Sequence, residues 1–366
     1  MRVALLTSAN GWRGSGVSYA KLARGLNERG HTAMLVTVAP KLTRRLAEEG
    51  LQVTEIPGRD TGPVEVWALR RALRSIRAEA IVADTPRDVR LSFYATLIHR
   101  ARIVYRYNLN YRRPRTHLMD RVYLGRVSAC IYQSKYIRDD ALSHARWMQR
   151  IPSYQVPNGY DLTRYAPRPD AAMAFRQRYG IEPGTRVVLS AAKLTRNKGQ
   201  EVAINALHRL HRQGLNVVYV ACGDGHREGE LSSMAAGLKL PTVFTGLLGT
   251  RDMIAGYNAA DVVVHPSLQE IFPNAVGEAM ACGRPVVAAD AGGTAELVGR
   301  DGTAGVLVPP ADAGALADAM QALFEDPPRL HALGDAARRR IADEFPMARM
   351  VIGYERALAE VIRGGG

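Results

Sequence analysis

Glu270 and Glu278, with seven residues between them, lie in the stretch DVVVHPSLQEIFPNAVGEAMACGRPVVAADAGGTAE, residues 261–296. Two carboxylates so spaced can accept hydrogen bonds from hydroxyls, and the flanking residues say where they sit. Val262 to Val264 is a short apolar run closed by His265-Pro266-Ser267, because proline supplies no ladder donor. Glu270 then falls in a loop. Pro273-Asn274 begins a helix, with proline suited to the first turn and asparagine to a cap, which puts Glu278 one turn inside. Pro285 to Ala289 is the next buried strand, closed by a turn at Gly292-Gly293. Open parallel sheets bind ligands beyond the carboxyl ends of their strands. A helix N-terminus there offers free N–H groups and a positive dipole end to phosphate. Carboxylates beside an anion site suit a ligand that also carries hydroxyls, as a nucleotide sugar does.

A second element has matching chemistry. In Ala191-Ala192-Lys193-Leu194-Thr195-Arg196-Asn197-Lys198-Gly199, two lysines five residues apart leave a strand and lead into a helix. Both can reach one diphosphate and neutralise charge building on it as a leaving group. Gly14-Ser15-Gly16 follows the first strand and lets a backbone approach a ligand, without completing a G-x-G-x-x-G fingerprint. Cys222-Gly223-Asp224-Gly225 and Gly246-Leu247-Leu248 are further strand-end turns. No Asp-x-Asp occurs, so nothing advertises a metal holding a diphosphate.

Glu270 and Glu278, followed by AMACGRPVV and a GG-T-x-E stretch, resemble the signature of the family 4 retaining glycosyltransferases, of the bacterial lipopolysaccharide and glycolipid group 1 type. The resemblance implies the GT-B fold: α/β, with two Rossmann-like doubly wound domains facing across a cleft. It implies transfer of a sugar from a UDP- or GDP-sugar to a hydroxyl acceptor, with retention of configuration and no cofactor or metal. The implied catalytic residues are Lys193, Lys198 and Glu270. The implied donor-binding residues are Gly16, Gly223, Leu247, Phe272, Pro273, Asn274, Ala275, Val276 and Glu278. Glu270 would hold the donor sugar and Glu278 the ribose, positioning the reactants. Two departures stand out. Lys193 takes a place where the family usually has arginine, a point donor in place of a fork. The segment Ile103 to Asn108 lacks the histidine that the family carries near the reacting sugar, and Tyr107 or Asn108 takes that place. Asp84, Arg87 and Asp88, at the end of the preceding strand, complete the acceptor-side candidates. The alternatives are a nucleotide-sugar epimerase on the same fold, or a non-catalytic basic membrane- or nucleic-acid-binding protein on that scaffold.

These groups must be positioned by alternating strands and helices. Val3 to Thr7, Ala33 to Val38, Val53 to Ile56, Ala80 to Ala83 and Arg102 to Tyr107 read as strands, with helices between them that include Gly16 to Arg29 and Arg90 to His99. The alternation resumes with Val187 to Ala191, Gln200 to Arg212 and Asn216 to Cys222. This pattern predicts parallel, doubly wound sheets. Val156-Pro157-Asn158-Gly159-Tyr160-Asp161 is a turn-rich connector. The expected domains are 1–160, which would bind the acceptor, and 161–345, which would bind the nucleotide sugar. A terminal helix in 346–366 is expected to cross back to the first.

The 366 residues suit two cores, and no run of about 18 apolar residues exists to span a membrane. The N-terminus reads as a strand, not a signal peptide. Cys130, Cys222 and Cys282 are scattered and odd in number, which suits a reducing cytoplasm without disulfides. The net charge of +14 is unevenly placed: residues 1–165 hold 28 lysines and arginines against 13 acidic residues, while 166–366 hold 21 against 22. Between Arg100 and Arg126, eight arginines interleave with Tyr105, Tyr107, Tyr111 and Tyr123. Such asymmetry concerns a partner and not the fold. It fits an acidic glycan or glycolipid acceptor and peripheral contact between the N-terminal domain and an anionic membrane, at the inner face of the cytoplasmic membrane. No nucleic-acid module surrounds the cluster, so no nucleic-acid partner is expected.

Overall fold

The computed structural model describes residues 1–9, 14–58, 61–107 and 118–364, which fall into two compact units: Met1–Gly159 with Met347–Gly366, and Tyr160–Pro346. In the first unit, seven parallel strands are β1 (Arg2–Thr7), β2 (Thr32–Thr37), β3 (Val53–Glu55), β4 (Ala80–Ala83), β5 (Arg102–Tyr107), β6 (Val127–Tyr132) and β7 (Ser153–Gln155). Their order is β3-β2-β1-β4-β5-β6-β7. The second unit has six: β8 (Arg186–Ala191), β9 (Val217–Cys222), β10 (Thr242–Gly246), β11 (Val262–His265), β12 (Val286–Ala289) and β13 (Val306–Val308), in the order β10-β9-β8-β11-β12-β13. Both orders reverse beside their first strand, the Rossmann arrangement, so each unit has one switch point: β1/β4 and β8/β11.

Sequence explains the sheets directly. Val3 to Thr7 and Val187 to Ser190 are buried at every position, as parallel strands covered on both faces require. Val187, Leu189, Val220, Val263 and Val286 face one core of the second unit with Val276 and Met280. Val188, Tyr219, Val264 and Val287 face the other with Ile204 and Leu207.

The terminal helix Met347–Arg363 completes the first unit. Its Met350, Val351, Tyr354 and Leu358 join the core formed by Val3, Leu5, Leu22 and Leu26. Gly25 permits the contact, because a Cβ there would lie 2.3 Å from Val351 Cγ2.

Two local expectations need correction. The helix read as Arg90 to His99 runs Pro86–Ala95, because Thr85 and Asp88 form a capping box that starts the helix earlier. At the helix Asn274–Ala281 the cap position belongs to Pro273, and Asn274 is already helical, with no side-chain cap.

Candidate functional site

The switch point of the second unit is assembled from two crossing loops. The loop after β8 rides over the turn after β9: Ala192 N–H donates to Cys222 O at 3.0 Å and Leu194 N–H to Asp224 O at 2.9 Å. Gly223, at φ 139°, is required by this approach, since a Cβ would sit 2.1 Å from Ala192 O. One 3-10 turn, Arg196–Lys198, then ends at Gly199 in the left-handed region. There the chain presses on the loop after β11, a Cβ on Gly199 falling 2.1 Å from Pro266 O. Asn197 O accepts from Leu268 N–H at 2.9 Å and from Ser267 Oγ at 3.2 Å.

This crossing brings Lys198 onto Glu270, and their ammonium and carboxylate form an ion pair. His265 Nε2, at the end of β11, is 2.9 Å from the same Glu270 oxygen. Burial alone would push the Glu270 carboxyl up. The His265 hydrogen bond and the attraction of His265 and Lys198 outweigh it and hold the group at about 2. Behind it the Gly292-Gly293 turn fixes the main chain, with Gly293 N–H donating to Glu270 O at 3.1 Å. Lys193 is exposed, and its carbonyl accepts from Gln200 Nε2 at 3.0 Å. Among the described residues its ammonium makes no ion pair.

The helix Asn274–Ala281 starts from the same loop, its first internal bond running from Gly277 N–H to Pro273 O at 3.3 Å. Amides before that have no earlier helical carbonyl to bond. One turn in, Glu278 is held from both sides: Tyr165 Oη donates to Oε1 at 3.0 Å and Tyr257 Oη to Oε2 at 3.2 Å. Burial and the Glu278 charge raise both phenols, so they stay protonated donors. Phe272 and Val276 are buried in the core, the Phe272 ring tilted against Phe345 with centroids 5.6 Å apart. Leu247 is exposed beyond β10, and Gly246 O accepts from Gly223 N–H at 2.9 Å. Ala275 is half-buried in the first helical turn.

Of the residues expected from the sequence, the structure pairs Lys198 with Glu270 and sets Glu278 one turn into the adjacent helix; His265, Tyr165 and Tyr257, which bond to these carboxylates, were not among them. His265 entered the reading only as part of a strand terminator. The histidine and carboxylate five residues apart across a loop were the available signal.

The first unit's switch point is more internally bonded. Asp84 accepts from Thr7 Oγ1 at 3.2 Å and pairs with Arg106 Nη1 at 3.4 Å. Arg106, which the charge pattern grouped with a surface cluster, is fully buried. It donates to Ser18 Oγ at 2.9 Å and Asn158 Oδ1 at 3.3 Å and lies over the Tyr19 ring. Asp88 accepts from Ser8 N–H at 3.2 Å, from Thr85 N–H at 3.1 Å and from the Ser8 hydroxyl. Burial raises its carboxyl to about 6. Arg87 Nη1 reaches Ser8 Oγ at 2.8 Å. Tyr107 is buried against Tyr105 and Tyr132, its phenol pushed up to about 12 by burial. Gly16 lies in the first turn of the helix Gly14–Glu28. Asn108, with Tyr111, Arg112, Arg113 and Arg115 of the basic cluster, lies outside the described residues. Among the described residues no group of three or more His, Cys, Asp or Glu side chains could hold a metal ion.

Comparison with known proteins matches residues 173–340 to the model of "Glycosyl transferases group 1" and residues 12–164 to that of "Glycosyltransferase Family 4". The D-inositol 3-phosphate glycosyltransferase of Pseudarthrobacter chlorophenolicus is 35% identical over 195 residues, 50% of this chain and 45% of that one. The GDP-mannose-dependent alpha-(1-6)-phosphatidylinositol monomannoside mannosyltransferase of Mycolicibacterium smegmatis is 35% identical over 200 residues, 52% of each chain. The chain thus spans about half the length of the curated relatives it matches. Among solved structures, Anabaena Alr3699/HepE in complex with UDP and glucose superposes with a TM-score of 0.87 at 22% identity, covering 98% of this chain and 100% of that one. A glycosyltransferase from Rickettsia africae gives 0.87 at 18%, covering 99% and 98%. At these identities the likeness establishes the fold, which is GT-B.

Proposed function

The chain belongs to glycosyltransferase family 4, the group 1 glycosyl transferases, and on that premise we propose that it moves a sugar from a nucleoside-diphosphate sugar to a hydroxyl acceptor with retention of configuration. The observation that carries the proposal is the meeting of Lys198, Glu270 and His265 at the β8/β11 switch point, beside the start of the helix bearing Glu278. A diphosphate needs cations and amide donors; a sugar and a ribose need carboxylates. All lie within one unit.

The roles follow from electrostatics. Lys193 and Lys198 neutralise charge growing on the departing diphosphate, aided by the first amides of the helix Asn274–Ala281. Within the second unit, Gly223 and the backbone of Leu247, Phe272, Pro273, Asn274, Ala275 and Val276 border the donor. Glu270, held near 2, stays ionised at neutral pH and therefore accepts hydrogen bonds from the donor sugar; it is no reservoir of protons. Glu278 accepts from the ribose while its two tyrosines fix its rotamer. The acceptor's proton leaves to the departing phosphate oxygen on the same face of the sugar. No metal or cofactor enters this scheme.

Asp84, Arg87, Asp88, Tyr107 and Asn108 remain the acceptor-side candidates, within the Met1–Gly159 segment. Arg87 is tied to Ser8 Oγ at 2.8 Å, to Gly58 O at 3.3 Å and to Asp88 at 3.7 Å. An acidic glycan or glycolipid acceptor, at an anionic membrane surface, suits the basic first unit. No described helix is long and apolar enough to cross a membrane. Three buried thiols fit a cytoplasmic setting.

The test is transfer itself: UDP- and GDP-sugars incubated with a panel of glycan and lipid acceptors, the product anomer read by proton NMR. The expected product keeps the donor's anomeric configuration. An isomerised nucleotide sugar formed without acceptor would instead identify an epimerase.

A further inference from the structure

The amino ends of β1, β4, β5 and β6 lie opposite the carboxyl ends where a doubly wound sheet holds its substrate. At these ends the loops of the first unit enclose a basin of about 960 Å³. Six arginines line it (Arg2, Arg74, Arg77, Arg100, Arg102 and Arg126) against one acidic residue, Glu79. Arg2 is partly occupied: its Nη2 is 3.5 Å from Glu79 Oε1 and its Nε donates to Arg77 O at 2.9 Å. Arg126 Nη2 donates to Thr96 O at 3.0 Å. Arg74, Arg77 and Arg100 are exposed and, among the described residues, their guanidinium groups have no acceptor.

Backbone geometry makes this clustering unusual. Arg77 follows the helix Pro63–Ser75 in the left-handed region, at φ 50°, where chains normally place glycine. An arginine is therefore held at the basin against its backbone preference. A concave surface of one charge sign focuses its field on whatever fills it. Its walls include the small residues Ala78, Ala101, Gly125 and Ser128, which leave the space to a ligand.

We propose that this basin binds a compact polyphosphate: a ligand carrying two or more phosphoryl groups on a small scaffold, at a site separate from the switch points. Planar guanidinium forks match phosphate oxygens in pairs, and several forks lining one volume suit several phosphoryl groups. A single carboxylate or monoanion, taken up by one fork, would leave the rest of Arg74, Arg77 and Arg100 without an anion. Free oligophosphate and a polyphosphorylated lipid headgroup offer the same chemistry. Leu97 and Ile98, both exposed and next in the chain to this basic loop, give the headgroup a physical route to the basin.

Calorimetric titration with inorganic tripolyphosphate, in saturating UDP and GDP to fill the nucleotide site, tests the free source. Flotation with vesicles containing phosphatidylinositol bisphosphate, against pure phosphatidylcholine, tests the headgroup. The expected result is one saturable site that weakens at least about tenfold in an Arg77→Gly/Arg100→Ala variant. That variant keeps its thermal midpoint, since glycine relieves the left-handed backbone at 77. Binding of tripolyphosphate assigns the free ligand; binding of the bisphosphate vesicles alone, lost in the variant, assigns the headgroup. Binding of neither probe by the wild type, or equal binding by wild type and variant, overturns the proposal. Neither outcome touches glycosyl transfer, which is read separately.

Discussion

A carboxylate that accepts from both His265 and Lys198 gives up its charge only in strong acid. Glu270 falls from an ordinary value near 4.5 to about 2 on folding, so its native interactions stabilise the protein fully above about pH 4.5. They are lost as pH drops through 4 to below 2, where both states become protonated. The contribution is on the order of 2–3 kcal/mol. Glu270→Gln is therefore expected to lower the unfolding free energy by a constant amount above about pH 5 and by a shrinking amount below it, as read by denaturant titrations across that range. A difference that does not change with pH would mean that Glu270 is not held ionised by these partners. At this scale the sequence displayed Lys198, Glu270 and Glu278, since type and spacing survive in a linear reading. Tyr165 and Tyr257 were not legible: their hydroxyls reach Glu278 from 113 and 21 residues away, across folds that no local spacing encodes.

Turns, more than side chains, decide whether the site's elements can meet. Gly199 and Gly214 both have positive φ, 67° and 91°, but their surroundings differ. A Cβ on Gly214 meets nothing within 4 Å, whereas one on Gly199 would lie 2.1 Å from Pro266 O. Gly214→Ala is expected to cost about 1 kcal/mol, the left-handed penalty alone. Gly199→Ala adds a backbone collision and should cost a further 1–3 kcal/mol, roughly the price of overpacking, while weakening nucleotide binding through displaced Lys198. Thermal shifts of the two variants, with and without nucleotide, check the contrast; equal effects would count against the crossing-loop geometry. Strands were the most legible elements, because their apolar runs are buried on both faces. The helix Pro86–Ala95 was misplaced since its start is set by the Thr85–Asp88 capping box, a short-range polar signal outweighed in the reading by apolar periodicity.

Over the whole molecule, the two Rossmann units carry different chemistry. The second has a balanced charge and a switch point where Lys198, His265 and Glu270 meet; the first has all the excess positive charge, an internally bonded switch point and an arginine basin on its opposite edge. The charge asymmetry was plain in the sequence. What it hid was the sorting of those arginines, with Arg106 buried as a structural cation and Arg74, Arg77 and Arg100 left exposed at one basin. The proposed function requires that the second unit hold a nucleoside diphosphate through Lys198 and Glu278. Calorimetric titration of UDP and GDP into the wild type and into Lys198→Ala and Glu278→Ala addresses it most directly. The predicted result is saturable wild-type binding of one nucleotide, weakened about tenfold or more in each variant. Wild-type binding that neither substitution alters, or no binding of either nucleotide, would contradict it.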